Sequence, residues 1–523
     1  MRRLALALLV ACNGDLVYRE PARDAPTDPV TGDPCANASR TGSIAGCELW
    51  PVDLDNAVTA QGDAAAQTFG VLVTNPASGV DAHVTVDVDD AAPGETARVR
   101  TITTATIPPG EVAILRLPAR EVDGSPPDVP NGGTGTALGR RAFRLRADVP
   151  VVAVQANPLT TDGVFSSDAS LLLPPAALGE STYVVAGWPQ TVARTSVPDT
   201  NAGQDLRAFV TIVGTASDTR VHVKTTARVV PGGPFAAGLE AGAEADVTLQ
   251  PFEVLNLETG DFGADFTGSL VTASAPIAVF TGSEASHAPY FTSLRTRSCC
   301  ADHLEAQLPP RGGAGLHYVV SQLPSRTRAL ADAGVEIASF PEPTLHRIVS
   351  ASAARTTVKT TLGAPWDIFV LPSDGASVTL PAVEDFELVA DAPVLVASVA
   401  VGHEAAGVAS GLQGGDPAFA ILPPVERWRA DTTLVTPNTY AFDFLVITAP
   451  AAATLTLDGV PPGDCEIGEN GAYRAYRCPL RWAGAHRVVA SEPVSVLAYG
   501  FDADVSYAYA VLSGTSSEQA STP

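Results

Sequence analysis

The segment 302–305, Asp-His-Leu-Glu, is the strongest candidate for chemistry, and it follows the adjacent cysteines Cys299 and Cys300. A carboxylate beside a histidine can orient the imidazole for acid–base catalysis or for binding a metal. The same residues can instead form internal hydrogen bonds, with Asp302 capping a short turn. Because no nucleophile or second metal ligand lies nearby in the sequence, we favour the structural role. A surface hydrolase with a site near His303 is the alternative.

Two acidic clusters offer oxygen ligands for a cation. Asp53 and Asp55 follow a tryptophan-containing segment, and Asp87 and Asp89 lie at the end of a predicted strand. Alternating carboxylates in a loop can hold Ca²⁺, which extracellular modules typically bind with a dissociation constant of about 10⁻⁴–10⁻³ M. Such residues are more often solvated, or they cap turns. Calcium is therefore the one cofactor that the sequence leaves open, with these four aspartates as candidate ligands.

The cysteine count predicts disulfides in an exported protein. Setting aside Cys12, which belongs to the N-terminal leader, leaves an even number of cysteines, and none has the C-x-x-C spacing of a zinc site. Two pairs lie close in sequence and are candidates for local disulfides, whereas the two adjacent cysteines can pair with each other or with more distant partners. The six candidates are Cys35, Cys47, Cys299, Cys300, Cys465 and Cys478.

The first residues have the pattern of an export signal. Arg2 and Arg3 precede an apolar run over residues 4–10, which is too short to span a bilayer about 30 Å thick. The run ends in Leu-Val-Ala-Cys, which resembles the lipobox of bacterial lipoproteins, in which the cysteine is lipidated. We therefore expect palmitate on Cys12, and export to the outer membrane or cell surface, because Asn13 stands where inner-membrane retention usually requires Asp.

The charge balance argues against nucleic acid as a partner. The chain of 523 residues carries 32 basic and 57 acidic residues, for a net charge of −25. Such a surface is repelled by phosphate backbones, and no basic stripe offsets the repulsion. The expected partners are a membrane, through the N-terminal lipid, and a protein or glycan ligand outside the cell.

The elements that must position these residues are predicted to be strands. Runs such as 69–74 (FGVLVT), 209–213 (FVTIV) and 444–448 (FLVIT) are rich in β-branched residues, and Gly, Pro, Asp and Ser interrupt the chain every 8–12 residues. Helical periodicity is nearly absent. The sequence therefore predicts an all-β protein of tandem β-sandwich-like repeats, with a large four-bladed propeller-like arrangement as the alternative.

An internal repeat sets the predicted domain boundaries. A proline after a small or acidic residue and a spacer precedes an apolar run four times, at Pro150, Pro276, Pro393 and Pro493. Three copies are followed by Leu-Pro-Pro. Proline is tolerated at the start of a strand, so we expect a strand to begin after each one. The predicted segments are a signal peptide (1–12), a flexible tether (13–45), four β modules (46–175, 176–310, 311–424 and 425–512) and a disordered tail (513–523).

Three stretches together resemble one family. Residues 46–56 read GCELWPVDLDN, residues 276–282 read PIAVFTG and residues 300–310 read CADHLEAQLPP. They are similar to the GCE-[FYL]-W-x-VDLDN and PVAVFSG…C-x-DHLEEQLPP motifs of the IgGFc-binding protein N-terminal domain family, in the form found in bacterial lipoproteins of myxobacterial type. Thr281 and Ala306 depart from the usual Ser and Glu.

The resemblance implies an extracellular binding or adhesive protein rather than an enzyme, and it leaves the ligand unknown. It makes Asp302, His303, Glu305 and Gln307 a family signature, for which we expect a structural role. A purely structural component of the cell envelope is a further alternative. No catalytic residue is predicted.

Overall fold

A computed structural model describes residues 32–60, 62–77, 79–125, 133–161, 163–179 and 181–512. Strands dominate these residues, so the prediction of an all-β protein is confirmed. The α-helices are α1 (Pro34–Arg40), α2 (Pro175–Leu178) and α3 (Arg326–Asp332), and 3₁₀ helices span Leu294–Thr296, Arg311–Gly313 and Val425–Arg427.

The strands fall into four successive groups that pair mostly within themselves. The first group is β1 (Gly46–Leu49), β2 (Val58–Thr59), β3 (Gly62–Asp63), β4 (Phe69–Thr74), β5 (Ala82–Asp89), β6 (Val99–Ile107), β7 (Val112–Leu117), β8 (Ala137–Arg140), β9 (Arg144–Asn157) and β10 (Asp168–Leu171). The second group is β11 (Thr182–Val184), β12 (Ala208–Gly214), β13 (Thr219–Lys224), β14 (Glu244–Leu249), β15 (Glu253–Glu258), β16 (Leu270–Ala273), β17 (Ile277–His287) and β18 (Ala301–Gln307).

The third and fourth groups repeat this plan. The third group is β19 (Gly315–Val320), β20 (Thr344–Ser350), β21 (Thr356–Thr360), β22 (Ile368–Leu371), β23 (Ser377–Ala382), β24 (Phe386–Ala400) and β25 (Phe419–Leu422). The fourth group is β26 (Arg429–Thr436), β27 (Phe442–Pro450), β28 (Leu455–Leu457), β29 (Glu466–Asn470), β30 (Tyr473–Pro479), β31 (Gly484–Asp502) and β32 (Val505–Ala510). One strand crosses between groups: β8 pairs with β15.

Long strands shape these groups into sandwich-like modules. The first half of β9 pairs with β5, and its second half pairs with β4. In the same way β31 pairs first with β26 and then with β27. A strand that passes from one sheet to another in this way forms a corner of a sandwich. The sheets therefore curl, as the predicted tandem β-sandwich-like repeats require.

The repeated prolines mark these corners, which corrects one expectation. A strand begins directly after Pro276, as predicted, whereas Pro150, Pro393 and Pro493 lie inside β9, β24 and β31. The pairing register shifts around each internal proline. On either side of Pro150, for example, the register between β9 and β1 shifts between Gly46 and Glu48. Proline has no N–H to donate, so it is tolerated where the ladder is already interrupted.

The last strands of the four groups meet in the middle of the molecule. Strand β10 contacts β18 and β32, and β25 contacts the same two strands, so the four form a closed ring. A closed ring of strands is a feature of the propeller-like alternative. In this protein the ring is formed by strands of sandwich-like modules. One apolar core runs through all four groups and includes Leu72, Val279, Val399 and Val496.

Three disulfides join the predicted cysteines: Cys35–Cys47, Cys299–Cys300 and Cys465–Cys478. The adjacent cysteines thus pair with each other. The first disulfide and the bond from Arg429 Nη2 to the carbonyl of Thr41 hold residues around α1, a part of the chain for which a flexible tether was predicted. Cys12 and the tail 513–523 lie outside the described residues.

Candidate functional site

The signature residues lie on the ring strand β18. Residues 302–305 are extended, so Asp302 does not cap the turn that its sequence context suggested. Asp302, His303 and Glu305 have no solvent exposure, and Gln307 is 4% exposed. A substrate cannot reach His303 while its surroundings are folded. The segment is therefore suited to joining modules rather than to chemistry on a ligand.

Asp302 joins three modules through hydrogen bonds to backbone amides. Its Oδ1 accepts from the N–H of Ser167, at 2.7 Å, and its Oδ2 accepts from the N–H of Ser506, at 3.0 Å. Asp168, on β10 of the first module, makes the reciprocal contacts. Its carboxylate accepts from the N–H groups of Glu305, in the second module, and Ala508, in the fourth. Carboxylates thus satisfy amides that strand pairing leaves free in the ring.

Glu305 and Gln307 extend the junction toward the first module. Glu305 Oε1 accepts from Ser170 Oγ, at 2.7 Å, and lies 3.3 Å from Gln155 Nε2. The amide of Gln307 bonds to both backbone groups of Leu173, accepting from its N–H at 2.7 Å and donating to its carbonyl at 3.1 Å. This pair fixes the register between β18 and the Leu-Pro-Pro segment that leaves the first module.

His303 faces a different neighbourhood. Its Nδ1 lies 3.3 Å from the carbonyl oxygen of Glu284, and its Nε2 lies 3.4 Å from Glu305 Oε2. The imidazole also packs beside the ring of Phe209. These are the internal contacts that a structural role predicts.

Burial raises the pKa of two carboxyls at the ring. The pKa of Asp302 is raised well above its usual range by desolvation and by the nearby charge of Asp416, although the amides of Ser167 and Ser506 oppose the shift. The pKa of Asp168 is raised by desolvation and by Glu305.

The adjacent cysteines lie beside a loop of the third module. The N–H of Cys300 donates to Asp416 Oδ1, at 3.1 Å, and the same oxygen is 3.0 Å from His403 Nδ1. This bond to Asp416 raises the pKa of His403. The sulfur atoms of Cys299 and Cys300 lie close to His403, but the disulfide removes the thiolates that a zinc site needs. The loop therefore links two modules.

Arginine side chains bind the carboxylates of two of the four candidate calcium ligands. Asp87 Oδ2 lies 3.0 Å from Arg144 and 2.8 Å from Arg146, and Asp89 pairs with Arg140 in a buried salt bridge. These cations compensate the carboxylates. Desolvation acts to raise the pKa of Asp87, but the hydrogen bond from Thr101 and the two arginines lower it overall. No group of metal-ligand side chains includes either aspartate within the described residues.

Asp53 and Asp55 lie in a different environment. Residues 50–57 are buried where the first module packs on the second. Asp53 accepts from the N–H of Arg120, whereas Asp55 joins Glu258 and Glu284 in a fully buried group of carboxylates. The sequence offered no signal for the two glutamates, because they come from separate strands far along the chain.

One large aromatic side chain is prominent on the surface. Trp482 is 58% exposed and stacks on His486. His486 in turn bonds to Asp458, and the neighbouring Val460 is 62% exposed. Aromatic side chains are enriched at protein interfaces. Trp482 and Val460 both lie between strands of the fourth module, and neither belongs to the ring strand β32.

The comparisons with known proteins agree with the signature. The family described as "IgGFc binding protein" matches residues 168–500. A human protein named "IgGFc-binding protein" is 28% identical over 225 residues, which are 43% of this chain and 3% of that protein. The chain thus spans a small fraction of its curated relative. No solved structure matches. None of the helices in the described residues has the length and apolar character needed to cross a membrane.

Proposed function

Because this chain belongs to the IgGFc binding protein family, we propose that it is a non-enzymatic, lipid-anchored surface protein that binds or adheres to a ligand outside the cell. The family indicates a ligand-binding β-module protein, and the disulfides indicate an extracellular or secreted one. The four-module division is part of the proposal, with each module ending at its ring strand.

The burial of His303 is the observation that carries the non-enzymatic proposal. A general acid or base must come within about 3 Å of the proton that it transfers, directly or through one water. His303 has no exposed surface, and its neighbours are a backbone carbonyl and Glu305. The hydrolase alternative would need the ring of strands to open, whereas a structural role requires no change.

The proposed ligand is a protein or a glycan. The name of the human relative refers to the Fc part of immunoglobulin, and Fc is therefore one probe among several for this chain. The net charge of −25 favours a ligand that is not itself strongly acidic. We assign the patch around Trp482 as a contact surface, because an exposed aromatic ring offers a large contact area at little entropic cost.

The test is a binding measurement on the full-length protein. Immobilised protein is exposed to immunoglobulin Fc, to mucin glycoprotein and to a neutral polysaccharide, and Trp482→Ala is compared with Tyr290→Ala, an exposed aromatic on the second module. We expect saturable binding of at least one probe, about tenfold weaker in Trp482→Ala and unchanged in the control, without cleavage of the probe. Turnover that disappears in a folded His303→Gln variant would contradict the proposal.

Anchoring at Cys12 has its own test. Palmitate labelling of growing cells is expected to mark the wild type and to leave Cys12→Ala unlabelled. Equal labelling of the two proteins would refute the anchor while leaving the binding proposal intact.

A further inference from the structure

A buried group of three carboxylates lies between the first two modules. Asp55 comes from the segment after β1, Glu258 ends β15, and Glu284 lies within β17. Their exposed fractions are 3%, 0% and 7%. Each side chain offers an oxygen atom, and these atoms all lie within 4.8 Å of one another. Burying three like charges together is costly unless a cation or protons compensate them.

Two oxygens in this group lack a hydrogen-bond partner. Asp55 Oδ1 and Glu258 Oε2 are buried, and within the described part of the chain neither accepts a hydrogen bond from an N–H or hydroxyl group, while the two carboxyls lie close enough to share a proton. The other oxygen of Glu258, Oε1, accepts from Asn256 Nδ2, at 2.8 Å. Fully buried polar atoms are rarely left unsatisfied, so these two atoms point to a missing ligand.

Arg207 compensates the group only in part. Its Nη1 forms a long ion pair with Glu258 Oε2, at 3.8 Å, which is beyond hydrogen-bonding distance. The backbone N–H of Arg207 instead donates to Glu284 Oε1, at 2.7 Å. Glu121 adds a further carboxylate beside Asp55, so negative groups outnumber the single arginine.

A close backbone approach encloses the group. Gly135 has a φ of +87°, and a Cβ atom there would lie 1.7 Å from Glu258 Oε2. Any other residue would displace the carboxylate, so glycine lets the loop cover the group directly. The backbone at Gly135 thus packs directly against the Glu258 carboxylate.

We propose that Asp55, Glu258 and Glu284 bind one Ca²⁺ ion that links the first module to the second. Calcium binds oxygens at about 2.4 Å, so two oxygens on opposite sides of one ion are about 4.8 Å apart, as the observed spacing allows. Three carboxylates can supply up to six oxygens, which suits calcium, whereas Mg²⁺ usually retains several waters. Of the four sequence candidates, only Asp55 belongs to this group.

Desolvation raises the pKa of Asp55 and of Glu284 well above the usual range, and the charge of Glu258 adds to both shifts.

The test measures calcium binding by chelator-stripped full-length protein. Titration calorimetry is expected to show one site in the wild type, with a thermal midpoint raised by several degrees in millimolar Ca²⁺ but not in Mg²⁺. Asp55→Asn and Glu258→Gln are expected to lose that site. Asp87→Asn removes a buried carboxylate that arginines already bind and is expected to keep it.

The thermal midpoints of the variants in chelator distinguish a metal site from a cluster with only a structural role. Glu258→Gln removes a buried charge, so without calcium its thermal midpoint is expected to equal or exceed that of the wild type. Wild-type protein that binds no calcium would overturn the proposal. So would a folded Glu258→Gln variant that binds calcium as the wild type does. Loss of calcium binding would leave the ligand-binding measurement interpretable, because Trp482 lies on another module.

Discussion

Asp302 and Glu258 are both carboxylates with no exposed surface, yet their surroundings differ. Both oxygens of Asp302 accept backbone N–H groups from neighbouring modules. One oxygen of Glu258 has no partner, and two other acidic side chains face it. Residue type and burial are therefore insufficient to assign a role to an acidic group. The donors around each oxygen distinguish a junction between modules from a place for a cation.

The largest expected effect is at the ring. Asp302→Ala leaves the amides of Ser167 and Ser506 buried without acceptors, and each unsatisfied donor costs about 1–3 kcal/mol. We expect a loss of about 3 kcal/mol in the free energy of unfolding, measured by urea denaturation. Asp431→Ala, which breaks an exposed ion pair with Arg487, is the control and should cost at most about 1 kcal/mol. Equal losses in the two variants would show that the hydrogen bonds of Asp302 stabilise the protein no more than an exposed ion pair does.

The pH dependence of the stability of chelator-treated protein should report the buried carboxyls that lie next to the proposed calcium ligands. The pKa of Asp53 is raised to about 7 and that of Glu121 to about 8, chiefly by burial. In the unfolded chain these carboxyls titrate near pH 4, so their stabilising effect is complete below that pH and is lost as pH rises through 7 and 8. Asp443, whose pKa burial also raises to about 7, acts in the same direction, so the thermal midpoint should fall between pH 6.5 and about 8 and then level off.

That window avoids two opposing groups. Burial lowers the pKa of His287 and of His346 to about 3, so both are neutral in the folded state and add stability only as pH rises toward about 6.5. A midpoint that rises across this window in chelator would contradict the raised pKa of Asp53 and of Glu121.

A smaller effect is expected at the edge of the ring. Gln307→Ala removes both bonds to the backbone of Leu173 and leaves a buried N–H and carbonyl unsatisfied. We expect a loss of about 2 kcal/mol, and faster amide hydrogen exchange at Leu173. Unchanged exchange at Leu173 in Gln307→Ala would exclude the proposed register contact.

Local patterns in the sequence predicted much of the fold. Alternating β-branched residues identified β4, β12 and β27, and the repeat of proline with Leu-Pro-Pro marked the long strands and the ring strands. The exact bounds of the strands were harder to predict. Pro150, for example, interrupts the pairing of β9 but does not end the strand. A register shift depends on the partner strand, which a local pattern does not contain.

The candidate sites were predicted less completely for the same reason. Asp87 was chosen for its neighbour Asp89, but Arg144 lies opposite it on β9 and binds its carboxylate. Glu258 and Glu284 reach Asp55 only when the second module packs on the first. Long-range packing thus decides which acidic groups are compensated, and the signature itself could be recognised only as a motif.

The most direct test compares Asp302→Asn with Glu258→Gln by scanning calorimetry in chelator. In Asp302→Asn, an N–H₂ group faces a backbone N–H that donates a hydrogen bond to the native carboxylate. Two donors then face each other, so the thermal midpoint should fall by several degrees. Glu258→Gln removes a buried acidic group whose Oε2 has no hydrogen-bond donor and only a long ion pair with Arg207, so its midpoint should stay level or rise. Shifts of opposite sign would support the distinction between the two clusters. A comparable fall in both variants would contradict it.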